Sequence, residues 1–184
     1  MSPLLGIWAS GQQAGQIIGT SFESIATSQP SGTGTLTFSS IPSTYTHLQL
    51  RGIYSASVAS RNVLLQFNSD TAGNYSWHEL NGNGTSATAS GGASSTGMYV
   101  ATAGNTTTNT YPAAFIIDIL DYADTNKYKT IRSLNGADIN GSGQICLDSG
   151  NWRSTSAVSS ITVYLNSGNY NSYSHIALYG IKAA

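Results

Sequence analysis

Charge is what this sequence has least of. Asp, Glu, Lys and Arg together make up 8% of its 184 residues, against roughly 25% in an ordinary soluble domain. The formal net charge is −1, and the seven Lys plus Arg are spread thinly along the chain. A protein that holds DNA or RNA by its phosphates needs a basic patch to release counterions. No such patch exists, so no nucleic acid is expected as a partner, and on the same ground no membrane surface is expected either. Low charge marks a disordered chain when apolar residues are also scarce. Here the hydrophobic fraction is 40%, which points to a folded domain with a hydroxyl- and amide-rich surface.

Cysteine is nearly missing too. Cys146 stands alone, so neither an intrachain disulfide nor a Cys-based zinc site is open to the chain. Its setting, Gln144-Ile145-Cys146-Leu147, reads as a strand with a buried, inert thiol. Residues 1–20 contain no Lys or Arg, and a secretory signal would want a positive start and a longer apolar core. No run reaches the length of a membrane-spanning helix. Three histidines (His47, His78 and His175) accompany many serines, but no Gly-x-Ser-x-Gly elbow follows a strand. Gly82-Asn83-Gly84 and Gly91-Gly92 lack the Lys and the helix that a phosphate cradle needs. No catalytic residue, metal site or cofactor is expected.

What the chain does have is Ser, Thr, Gly, Asn and eleven tyrosines. Thr and Tyr suit a half-buried pleated surface, and Gly, Asn and Ser supply turns. Short strands are predicted at 22–27, 34–39 and 45–55, the last with Leu48, Leu50 and Tyr54 on one face. A strand over 62–68, with Val63, Leu65 and Phe67 alternating, is the expected hairpin partner of 45–55. Further strands are expected at 74–80, 97–102, 113–120, 127–134, 144–147, 157–165 and 175–181. Residues 81–95 read as a long mobile loop, with a second polar loop over 103–110. The apolar segment 113–120 reads as a central strand buried on both sides, with 127–134 returning antiparallel. The expected fold is all-β: roughly ten strands in an antiparallel β-sandwich of jelly-roll-like topology. It occupies residues 21–184, preceded by an N-terminal extended arm, residues 1–20. The arm's apolar cluster, Leu4, Leu5, Ile7 and Trp8, is costly to leave in water and should dock on its own domain or on a neighbour.

Three groups are candidates for chemistry. Asp118, Asp121 and Asp124 with Asn126 place oxygen ligands near a turn, but without EF-hand spacing and beside Lys127 and Lys129. The alternative is a hairpin tip with local ion pairs, such as Asp118 or Asp121 with Lys129 or Arg132. Glu79 shares a strand face with Trp77, the neighbourhood a glycosidase would use. The plainer expectation is an edge strand with one core aromatic and a solvated acid. Tyr164, Tyr170, Tyr173 and Tyr179 gather near the C-terminus, as in adaptable binding surfaces or simply as in strands.

Several phrases resemble a group of tailed-bacteriophage virion structural proteins. They are Phe22-Glu23-Ser24-Ile25-Ala26, Phe38-Ser39-Ser40-Ile41-Pro42-Ser43-Thr44-Tyr45, and His47-Leu48-Gln49-Leu50-Arg51-Gly52. Leu65-Gln66-Phe67-Asn68-Ser69-Asp70, Asn74-Tyr75-Ser76-Trp77-His78 and Ala177-Leu178-Tyr179-Gly180-Ile181-Lys182 continue the likeness, and the opening Leu4-Leu5-Gly6-Ile7 is similar. The resemblance covers most of the chain and carries no catalytic motif. It implies a place in the virion as a capsid decoration (cement) protein, a head fibre or a minor tail protein. The expected partner is the major capsid protein or another virion protein, with assembly as a homotrimer. Leu4, Leu5, Ile7 and Trp8 are the expected contact residues. The alternative is a carbohydrate-binding receptor-recognition domain of a head or tail fibre, with a glycan as its partner and aromatic platforms beside loops 81–95 or 167–174.

Overall fold

The computed structural model describes residues 21–59, 62–102 and 107–182. The arm residues Leu4, Leu5, Ile7 and Trp8 lie outside them. Twelve strands run in chain order: β1 (Phe22–Ser28), β2 (Thr35–Phe38), β3 (His47–Tyr54), β4 (Asn62–Phe67), β5 (Tyr75–Gly82), β6 (Ala87–Ser95), β7 (Met98–Thr102), β8 (Ala113–Leu120), β9 (Lys129–Asp138), β10 (Gly143–Trp152), β11 (Ile161–Leu165) and β12 (His175–Ile181). They form an eight-stranded sheet, ordered β1-β12-β3-β8-β9-β10-β5-β6, and a four-stranded sheet, ordered β2-β11-β4-β7. Every pairing between strands is antiparallel. This is the β-sandwich the sequence predicts, with no helix among the described residues. The chain crosses repeatedly from one sheet to the other.

Period-two alternation builds the core. Leu48, Leu50 and Tyr54 of β3 point inward, as do Phe115, Ile117 and Ile119 of β8. They meet Leu36 and Phe38 of β2, Val63, Leu65 and Phe67 of β4, and Ile161 and Val163 of β11 from the facing sheet. Trp152 stands edge-on to Phe67 and stacked with Tyr75, at ring distances of 5.5 and 6.4 Å. Gly150 is what lets β7 close over β10: a Cβ there would lie 2.8 Å from both the Met98 sulfur and Ile131.

The structure corrects three expectations. Strand β3 does not form a hairpin with β4, because the two sit in opposite sheets; β3 pairs with β12 and β8. Alternation tells which face of a strand is buried, and both strands bury a face in the same core from opposite sides. Residues 81–95 are not a long loop but the turn and second strand of a β5–β6 hairpin. Asn83 Oδ1 accepts from the Thr85 and Ser86 amides and Gly84 turns at φ +85°, while β6 is an edge strand that buries almost nothing. Its composition of Gly, Ala, Ser and Thr therefore reflects edge position and close packing: a Cβ on Gly92 would meet the Trp77 indole nitrogen at 2.7 Å. Finally, β8 is central but buried on one face only, with Ala114 and Ile116 exposed.

Candidate interaction surface

The exposed faces of β8, β9, β10 and β5 carry one continuous apolar row. Ile116 is the cross-strand partner of Leu134, Leu134 of Leu147, and Leu147 of Leu80. The row beside it runs Ile53, Ala114, Gly136, Ile145. The six large side chains are between 42% (Ile116) and 62% (Ile145) exposed. Together they present on the order of 500 Å² of apolar surface, near the upper end of what monomeric proteins leave bare.

The face is not flat. Between Ile53 and Ile145 the second row holds only Ala114 and Gly136, and the turns at 82–84 and 138–143 rise at its end. The result is a groove of about 850 Å³ lined by Pro112, Ala114, Ile116, Leu134, Gly136 and Ile145. On the other side of the apolar rows lies a polar row, Gln49, Asp118 and Arg132, in register across β3, β8 and β9. Asp118 accepts from Gln49 Nε2 at 2.7 Å and from Arg132 Nη2 at 3.1 Å. An apolar centre with a satisfied polar margin is the anatomy of a protein interface.

The chemical candidates resolve differently. Asp118 forms the Arg132 pair that the sequence allowed as the plain alternative to metal binding. Asp121 is held by the Lys127 ammonium at 2.5 Å and lies 3.3 Å from His47 Nδ1, and Asp124 caps the Asn126 amide at 2.7 Å. The Asn126 amide and Lys127 depress the Asp124 carboxyl below its ordinary value. These oxygens are committed to local partners, and among the described residues no three His, Cys, Asp or Glu side chains group as metal ligands.

Glu79 is not on an edge strand, since β5 pairs with both β10 and β6, and it is half-buried rather than solvated. It accepts from Thr102 Oγ1 at 2.9 Å. Its cross-strand partner on the inner face is Asp148, which is 1% exposed. Asn135 Nδ2 donates to Asp148 Oδ2 at 2.5 Å, while Oδ1 has no partner. Burial pushes the Asp148 carboxyl up to about 7; the Asn135 bond opposes the shift and the Glu79 charge adds to it. Glycoside hydrolysis requires a pair of carboxyls, one of them acting as an acid of raised pKa. Asp148, however, is sealed between β10 and β7, where Ser133 and Asn135 bond to the Val100 carbonyl. A sugar ring does not reach a carboxyl buried so completely, so the pair acts on the fold.

Cys146 is buried, and burial pushes its thiol up to about 12. The tyrosines divide. Tyr170 is a core residue; Tyr179 stacks on Phe22 at 4.7 Å beneath Arg51; Tyr173 is 87% exposed. Trp77 packs on Tyr99 at 4.5 Å.

Sequence reasoning missed the outer face, and assigned the apolar residues of β8 to a core buried on both sides. The signal that separates the two readings is the polar row: Gln49, Asp118 and Arg132 keep one end of the same face in water. No family model, curated protein or solved structure matches the chain.

Proposed function

We propose that this chain is a structural protein of a tailed-phage virion, a capsid-decorating cement protein that stabilises the particle by bridging capsomers. The observation that carries the reading is the four-strand apolar row from Ile116 to Leu80, bare on the outer face and bordered by a polar row. A face of this kind is completed by another protein surface. The scarcity of charge supports the same reading, because such a face closes without stripping water from ions. The phrases that resemble virion proteins supply the setting, and the homotrimer and the major capsid protein as partner follow from that setting.

The receptor-domain alternative draws on exposed aromatics. Of its candidate platforms Tyr170 is in the core and Trp77 is packed on Tyr99, which leaves Tyr173 as the most exposed.

Deleting the gene from the phage and measuring heat resistance of the particles tests the proposal. Particles without the protein lose titre at lower temperature, and added wild-type protein restores it while Leu134→Asp/Leu147→Asp does not. Particles that keep their heat resistance but no longer adsorb to host cells contradict the cement role and favour the receptor domain.

A further inference from the structure

The molecule carries two apolar surpluses, the outer-face groove and the N-terminal segment, and their chemistry matches. We infer that the groove over Ala114 and Gly136 is the docking site for the N-terminal segment of this chain, with Pro3–Trp8 as its occupant. The inference rests on the reading of the outer face as an interface.

Residues 1–20 contain no Asp, Glu, Lys or Arg, so entry into the groove leaves no ion without water. A volume of about 850 Å³ has room for an indole and a few aliphatic side chains, within the roughly 300–1,000 Å³ of ordinary ligand sites. The glycine and alanine of the second row give the groove its depth. Ile116, Leu134 and Ile145 line it, which gives a flat ring branched side chains to lie between.

The length of the segment allows the contact. Strand β1 begins at Phe22, level with Ile181 of β12 and His47 of β3. The groove lies at the other end of the strands, where Ile53 pairs with Ala114. Four strand spacings separate β1 from β9, about 19 Å across the sheet, and the offset along the strands is about 20 Å. The path is therefore about 30 Å, whereas the thirteen residues from Trp8 to Ser21 extend to about 45 Å. The segment reaches its own groove or that of an adjacent copy, and in an assembly the second arrangement links the copies.

Cysteine cross-linking in the full-length purified chain tests this without a particle, so its failure is distinct from failure of the cement role. Ala9→Cys is combined with Ser142→Cys at the groove rim, or with Thr37→Cys on the exposed face of the four-stranded sheet. Native Cys146 is buried and stays silent. The expected result is disulfide formation at least tenfold faster for Ala9/Ser142 than for Ala9/Thr37, falling to the control rate when Ile145→Asp is added. Gel mobility separates bonds within a chain from bonds between copies, and both place the same segment in the groove. Equal rates for the two pairs, or a rate that Ile145→Asp does not change, overturn the inference.

A second readout guards against misfolding. With 5-fluorotryptophan incorporated, Ile145→Asp should move the Trp8 resonance while Trp77 and Trp152 keep theirs. A stationary Trp8 signal contradicts the docking. So does association that Ile145→Asp abolishes but serine at Leu4, Leu5, Ile7 and Trp8 leaves intact, because the occupant is then the face of a second copy.

Discussion

Asp148 shows how much one side chain can set the behaviour of this fold. Its carboxyl titrates at about 7 in the folded chain, against 3.8 in its ordinary state. Between those values the folded chain holds a proton that the unfolded chain has released. The stability this contributes is full below pH ~4 and is lost as pH rises towards ~7, with a slope of at most about 1.4 kcal/mol per pH unit. Asp148→Asn, which keeps the shape and removes the charge, should flatten that part of the profile and exceed the wild type in stability at pH 8, as read by urea unfolding across pH. Parallel profiles for the two proteins would contradict the assignment. Lys129 is the opposite case, a fully buried cation whose ammonium donates to the carbonyls of Asp124, Lys127 and Thr155 at 2.5, 2.9 and 3.3 Å. Lys129→Met orphans three acceptors and should cost about 2–4 kcal/mol in the same assay. The Asp118–Arg132 pair was legible in sequence because both residues sit on neighbouring strands of one short hairpin. The Asp148–Glu79 pair was not, because its members lie far apart in the chain. The available signal was the alternation Cys146, Asp148, Gly150, Trp152, which puts the acid on the same face as a tryptophan.

At the scale of elements, strands with a clean alternation were legible and those without one were not. Strands β3, β8 and β12 were readable because most of their inward residues are large and apolar. Strand β6 escaped because an edge strand held by backbone bonds to a single neighbour needs no apolar face. The partner of β3 escaped for a different reason, since inward-facing residues look the same from either sheet. The β5–β6 hairpin should then show graded protection in hydrogen exchange: amides of β9 and β10 exchange only with global unfolding, while those of β6 that point away from β5 exchange orders of magnitude faster. Protection of β6 equal to that of β9 would mean that another chain covers the edge.

The whole molecule combines a well-packed core with an outer face that is apolar where a lone domain would be polar. Substitutions on that face should separate stability from association. Leu147→Asp, at a position 49% exposed, should change unfolding free energy by no more than about 0.5 kcal/mol while weakening self-association in analytical ultracentrifugation. Loss of folding together with association would show that the row belongs to the core after all. The sandwich was legible from the spacing of strands and turns, whereas the apolar outer row became visible only once registers placed Ile116, Leu134, Leu147 and Leu80 side by side. The most direct test of the central claim is a cryo-EM map of the phage particle proposed to carry this protein. The account predicts density for the sandwich at junctions between capsomers, with the β8–β9–β10–β5 face turned towards a neighbouring chain. Density for the chain at the tail tip alone, with the capsid surface bare, would contradict it.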